Sequence, residues 1–353
     1  MKMMRRKSCI WAVVTAILVA ACAIEPPLHL RQALRVIVKV LWKAEVYPEG
    51  IKPSGVSLYF FRSGEYYMQQ TTSAVDSCRV ELGPGQYRLY MISQSPEEYA
   101  WMQFSNLEDF DAASVSVVET KSTWYSKADD EVLIGNPEMM TAAVSEDFEV
   151  TAEMIEELRR KTAGADDSTA EGYVQYYTIR VPVAPRPVVA QYWISIYSEN
   201  VDVLKAIRAS TTGMARTYHL TQGVTGPESG TQLITQWKLI MDDPVNRIGH
   251  IDGIITTFGF PSGDEPSPDR DPALNVAALL VDNKTVDTYE FQVGNLITSE
   301  EPPEGYRALY RLILGTVENP AIHPPDVHPA DEASGLNAIV DDWDEEENID
   351  VEM

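Results

Sequence analysis

Cys22 carries the most specific chemistry legible in the sequence. It ends the run Val19-Ala20-Ala21-Cys22, small side chains before a thiol, with Pro26 and Pro27 close behind. This is the pattern of a bacterial lipobox. There the thiol takes up a diacylglyceryl group, fatty chains of the palmitate type are added, and the chain is cut in front of the cysteine. Of the other two cysteines, Cys9 precedes the cut and Cys78 remains alone, so the mature chain is expected to hold no internal disulfide. Cys78 falls in an alternating run, where a buried small hydrophobe is expected rather than a nucleophile.

The remaining reactive types do not assemble into a recognisable centre. The histidines are His29, His219, His250, His323 and His328. Only His323-Pro-Pro-Asp-Val-His328 brings two close together, and its prolines hold it extended with no evident third ligand. No zinc-protease, nucleophile-elbow, phosphate-loop or dinucleotide motif is present. The acid pairs Asp242-Asp243 and Asp264-Glu265 sit beside prolines and read as turns, not as a glycosidase pair. The acidic loop at 262–272 lacks the spacing of a calcium loop. The sequence therefore assigns no catalytic residue, no metal ligand and no cofactor, and a non-enzymatic protein is expected. Aromatic side chains offer a different chemistry. Tyr99, Trp101, Phe104, Trp124 and Tyr125 fall in a stretch of weak periodicity, where exposed rings would stack on a glycan or a partner. The competing reading has these rings closing the end of a sheet sandwich.

The elements that must position these residues begin with an address. Lys2, Arg5, Arg6 and Lys7 precede Ile10–Ala21, twelve residues without a charge. A membrane-spanning helix needs about 20 apolar residues, so this is the length of a signal-peptide core. Residues 1–21 are read as the signal and 22–33 as an extended tether, since paired prolines stop a helix. Removing the signal takes away four bases and no acid, which moves the net charge from −25 to −29. No basic footprint for nucleic acid is visible. Anionic lipid would repel such a chain, so the acyl chains on Cys22 must hold it at the membrane.

Period-2 alternation dominates the rest. LRVIVKVLW puts Val36, Val38, Val40 and Trp42 on one face, and GVSLYFF does the same with Val56, Leu58 and Phe60. CRVELGPGQYRLYMI reads as a hairpin, with Cys78, Val80 and Leu82 before Gly-Pro-Gly and Tyr87, Leu89 and Met91 after it. DAASVSVVET and DEVLIG are expected as short strands. Thr151 is placed to cap a helix over 151–161, with Glu153, Glu156 and Glu157 early and Arg159, Arg160 and Lys161 late, as the helix dipole favours. About eight strands follow, from YVQYYTIRVPV to RALYRLIL, separated by Gly-, Pro- and Asp-rich turns. No βαβ alternation appears. The fold class expected is all-β, as β-sandwiches.

The chain divides on this reading into an N-terminal β-sandwich over 34–145, a helix-containing linker or insert over 146–172, a C-terminal β-sandwich over 173–318, and a Pro-rich then acidic tail over 319–353. The tail holds eight acids and no base from Asp341 to Met353. It reads either as a solvating segment or as a short docking strand, because Leu336, Ile339, Trp343, Ile349 and Val351 are apolar.

The lipobox, the LRVIVKVLW and GVSLYFF strands, LGPGQYRLYMI, and farther on ASTTGM, TTFGF, LNVAALLV and the DDWDEEENIDVEM ending resemble Bacteroidales lipoproteins of a domain of unknown function, 5119. That family is similar to FimB-like fimbrillin anchors and minor fimbrial subunits. The resemblance covers nearly the whole mature chain and implies two tandem transthyretin-like (Greek-key) β-sandwiches. It also implies attachment to the outer membrane and a part in anchoring or assembling surface fimbriae, with other fimbrial subunits as partners through donor-strand exchange. It transfers no catalytic residue, and only Cys22 maps onto a defined role. Glu25 is the sole acid close behind Cys22, so the acid-rich signal for outward display is weak and the face of the membrane stays open. A glycan-binding surface lipoprotein of polysaccharide capture is the alternative.

Overall fold

Alternating apolar and polar residues become strands throughout the computed structural model, which describes residues 34–42, 52–125, 131–163, 178–263 and 272–329. Cys22 and the tether, Gly164 and the loop after it, 264–271 and the acidic tail lie outside the described residues. The first strands are β1 (Leu34–Val40), β2 (Val56–Arg62), β3 (Glu65–Thr72), β4 (Ser77–Leu82), β5 (Gly85–Ser93), β6 (Met102–Ser105) and β7 (Ser114–Val117). Then come β8 (Leu133–Ile134), β9 (Thr141–Val144), β10 (Phe148–Val150), helix α1 (Ala152–Ala163), β11 (Thr178–Val183) and β12 (Arg186–Pro187). The longer strands follow: β13 (Ala190–Ser198), β14 (Leu204–Ala215), β15 (Thr217–His219), β16 (Val224–Thr225), β17 (Ser229–Ile234) and β18 (Trp237–Asp243). The last are β19 (Ile248–Thr257), β20 (Ala273–Leu280), β21 (Val286–Gln292), β22 (Thr298–Glu300) and β23 (Leu309–Leu314). The all-β expectation holds, and no described helix is long and apolar enough to cross a membrane.

The chain forms two units. The smaller draws on stretches within 1–37, 79–86 and 148–181. Its sheet has the order β11-β1-β4, and Val36, Val80, Leu82 and Val181 are buried. Helix α1 begins where the sequence places it, because the Thr151 hydroxyl accepts the Met154 N–H at 3.2 Å, an N-cap.

The larger unit holds 38–78, 87–147 and 182–353. Its sheets have the orders β12-β9-β5-β2-β3, β18-β19-β13-β23-β22, β21-β20-β14-β17-β8 and β16-β15-β7-β6. The pairing does not follow chain order: β7 lies antiparallel to β15, β8 parallel to β17, and β12 antiparallel to β9. One continuous apolar cluster includes Tyr192, Ile194 and Ile196 of β13, Leu274, Val276 and Ala278 of β20, and Tyr59 and Phe61 of β2.

Two sequence expectations are corrected. The GPGQ turn does not close a hairpin: β4 pairs in one sheet and β5 in another, against β2 and β9. Pro84 has no N–H to offer a ladder, and each flanking strand pairs elsewhere, β4 with β1 and β5 with β2 and β9. β2 does not bury one face only, since Val56 to Phe61 are all buried. Its second face packs through rings, with Tyr59 stacked on Tyr90 at 4.7 Å and Phe61 edge-on to Phe110 at 5.3 Å.

Cys78 is buried and free, as its place in the alternating β4 run predicts. Burial pushes its thiol up to about 11, so the thiolate is scarce at neutral pH. Iodoacetamide is expected to leave Cys78 unmodified in the native protein at pH 8 and to label it fully in urea. Rapid native labelling would contradict this placement.

Candidate functional site

Two grooves in the larger unit gather the groups able to hold a ligand. The first lies against the sheet β21-β20-β14-β17-β8. Register builds it: Arg208 of β14 opposes Ala277 of β20, and Ala277 opposes Thr288 of β21. Ser210 opposes Asn275, which in turn opposes Glu290. Alternation sends these residues to the face opposite the core residues Ala209 and Val276. Trp124 and Tyr125 come from the loop after β7 and help line a groove of about 470 Å³ over this face.

The rings are held from several sides. Trp124 and Tyr125 meet edge to face at 5.8 Å, and the guanidinium of the buried Arg208 lies 5.3 Å from the Trp124 ring centre. The Tyr125 hydroxyl donates to Glu131 Oε1 at 2.9 Å, and the Thr231 hydroxyl donates to the same oxygen. Burial first, and then the Glu131 carboxylate, hold the Tyr125 hydroxyl above the ordinary tyrosine range. Tyr289, at the far wall, is raised by burial and then by its hydrogen bond to Asp287. Aromatic faces flanked by an amide, hydroxyls and a carboxylate suit a ring with one apolar face and hydroxyls at its edge.

The second groove, of about 430 Å³, lies over β2, β3 and β6. Tyr59 is 2% exposed and lines it together with Tyr66, Phe104, Glu97 and Glu108.

The five aromatic residues singled out from sequence are thus separated. Trp124 and Tyr125 share the first groove, and Phe104 lines the second. Tyr99 is buried beside Phe104, with its hydroxyl donating to Ser93 O at 2.6 Å. Trp101 is half-buried, and its ring faces Gly135. Sequence reasoning missed Arg208, Asn275, Thr288 and Glu290, because strand register alone brings them to one face.

Two of the histidines lie beside carboxylates. His323 Nδ1 lies 3.2 Å from Glu199 Oε2 at an exposed site. His250 Nδ1 lies 2.6 Å from Asp242 Oδ2, its Nε2 lies 3.7 Å from Asp252 Oδ2, and the Ser195 hydroxyl donates to Asp252 at 2.5 Å. The serine is thus bonded to a carboxylate and not to the imidazole, so this row lacks the serine–base contact of a nucleophilic triad. Among the described residues, no group of three or more His, Cys, Asp or Glu is arranged to hold a metal.

A search of curated proteins finds no match. Among solved structures, a "putative adhesin" from Bacteroides ovatus is 12% identical, with a TM-score of 0.53 over 83% of this chain and 94% of that one. A second "putative adhesin" from Bacteroides ovatus is 9% identical, with a TM-score of 0.45 over 80% of this chain and 89% of that one. The fimbrial anchor protein Mfa2 of Porphyromonas gingivalis is 13% identical, with a TM-score of 0.43 over 80% and 90%. The first of these shows a shared fold. The family model "Domain of unknown function (DUF5119)" matches residues 28–235, more than half of the sequence, and the chain belongs to that family.

Proposed function

We propose that this protein is a lipid-anchored outer-membrane subunit of fimbria-like surface structures, acting as an anchor or accessory component in cell adhesion. The observation that carries the reading is the all-β fold shared with the Bacteroides ovatus protein over most of both chains. That protein is described as a "putative adhesin", which supports a surface role here. The lipobox supports attachment through Cys22.

In its finer form the protein comprises two tandem transthyretin-like sandwiches, over 34–145 and 173–318, tied together by the β7–β15, β8–β17 and β12–β9 pairings. Partner subunits join by donor-strand exchange. The strands β3, β18, β21 and β22 stand last in their sheets among the described residues, so each offers one edge to an added strand. Main-chain hydrogen bonds supply affinity in such a joint, and alternate side chains set its register. Chemical cross-linking of intact cells, followed by purification through this protein, tests the reading. Recovery of other envelope β-subunits in cross-linked adducts is expected, and recovery of the monomer alone would count against it.

The first groove favours a second reading, a glycan-binding surface lipoprotein. On that reading Trp124→Ala weakens binding on a glycan array at least tenfold, equivalent to about 1.4 kcal/mol. Trp101→Ala, whose ring faces Gly135 rather than the groove, leaves binding unchanged. Equal loss from both variants, or an array without hits, would remove this reading.

A further inference from the structure

The second groove combines features that neither reading uses. Its floor is Tyr59, stacked on Tyr90 with ring planes 11° apart. The Tyr90 hydroxyl donates to Leu107 O at 2.6 Å, whereas the Tyr59 hydroxyl, buried from water, has no hydrogen-bond partner. An acceptor left in this state is costly, and a donor arriving from the groove would satisfy it. Tyr66 and Phe104 add two half-buried rings as walls.

The charged residues that line the groove are both acids, Glu97 and Glu108, and both are exposed. Glu98 caps the short turn that carries Glu97 by accepting the Ser95 N–H at 2.9 Å, and Glu97 accepts the Ser95 hydroxyl. The carboxylates act on the rings: after burial, Glu97 helps to raise the Tyr59 hydroxyl, and Glu108 that of Tyr66. Negative potential and aromatic faces therefore converge on one space of about 430 Å³.

We propose that this groove receives the cationic side chain, lysine or arginine, of a partner polypeptide. The alkyl stem packs on Met102 and Leu107, the charged head lies against the Tyr66 and Phe104 rings, and Glu97 and Glu108 neutralise it. The Tyr59 oxygen, which has no partner among the described residues, accepts a hydrogen bond when the side chains around it part to admit the head. The protein uses the same chemistry internally nearby: Arg88 lies 3.7 Å from the Phe110 ring centre and 3.9 Å from Asp111. A net charge of −25 for the whole chain further favours encounter with basic segments.

The test is calorimetric titration of the full mature lipoprotein in neutral detergent with three blocked tripeptides, Gly-Arg-Gly, Gly-Lys-Gly and Gly-citrulline-Gly. Saturable binding of the arginine and lysine peptides is expected, at least tenfold tighter than that of the neutral citrulline isostere. The double variant Glu97→Gln/Glu108→Gln, its fold checked by circular dichroism, is expected to lose at least tenfold. Glu304→Gln/Glu318→Gln, which removes the same charge at exposed positions elsewhere on the surface, is expected to bind as the parent does. Equal binding of citrulline, equal loss from both double variants, or no binding of any peptide would overturn the proposal. Binding of free arginine amide as tight as that of the tripeptide would overturn the polypeptide source and leave a small-cation site.

Discussion

Exchanging Cys22 for alanine behind an ordinary cleavable secretory signal is expected to move the protein from the membrane pellet to the soluble fraction. The signal must be exchanged as well, because an uncut apolar leader would itself hold the chain. The effect should be nearly complete, because the acyl chains on Cys22 supply the attachment on this account. The chain carries a net charge of −25 even before loss of its basic leader, so anionic lipid repels it. No described helix can span the bilayer. A single acyl chain of myristoyl length binds only marginally, with an association constant of about 10⁴ M⁻¹, whereas several chains at about 0.8 kcal/mol per buried methylene anchor stably. The parent protein should remain in the pellet after a carbonate wash and partition into detergent. Retention of the alanine variant in the pellet would refute anchoring through Cys22.

A second large effect is expected in the sheet that carries β18 and β19. Gly249 opposes Met241, and a Cβ built on it would lie 2.2 Å from the Ile240 carbonyl oxygen and 2.8 Å from Val201 Cγ1. The first obstacle is backbone, so the strands must separate to admit even a methyl group. Gly249→Ala is expected to cost about 3 kcal/mol, the upper part of the usual range for overpacking, read from the midpoint of urea unfolding. Gly253, four residues on, provides an internal comparison. There a Cβ meets the Trp237 ring at 2.8 Å. That ring is half-buried and belongs to an edge strand, so it can turn aside at the loss of its Nε1–H bond to Ile234 O, with no separation of the strands. Gly253→Ala should cost less, and its cost should shrink when Trp237→Ala is combined with it, as expected for residues in contact. The cost at Gly249 should not depend on Trp237. Parent-like stability in Gly249→Ala would mean that β18 does not pair with β19 in the register described.

The sequence shows some of this directly and hides the rest for physical reasons. Local signals were legible. The Thr151 cap starts α1 where expected, and the alternation Cys78, Val80, Leu82 gives a strand with that face buried. DAASVSVVET and DEVLIG yield β7 and β8. Partner choice was not legible. GPGQ has hairpin composition, yet its flanking strands enter different sheets, because a turn motif specifies a reversal and not the ladder on either side of it. TQLITQWKLI reads as one strand but divides into β17 and β18, which belong to two sheets. The candidate site follows the same division. Trp124 and Tyr125 stood out as rings in a stretch of weak periodicity. Arg208, Asn275 and Glu290 sit in ordinary strands and gain their meaning only when β14, β20 and β21 align. Tyr59 is hidden for another reason, since GVSLYFF looks half-buried from its alternation and is buried on both faces.

The central claim is that the protein works within a strand-exchanged surface assembly. It is tested most directly by a denaturing gel of isolated outer membranes, unheated in one lane and boiled in the other, probed for this protein. The account predicts a high-mass ladder that collapses to the monomer on boiling, because main-chain ladders between subunits resist mild detergent. Mass spectrometry of the rungs should then identify the neighbouring subunits. A single monomer band in both lanes would contradict assembly by strand exchange and leave the glycan-binding lipoprotein as the better account.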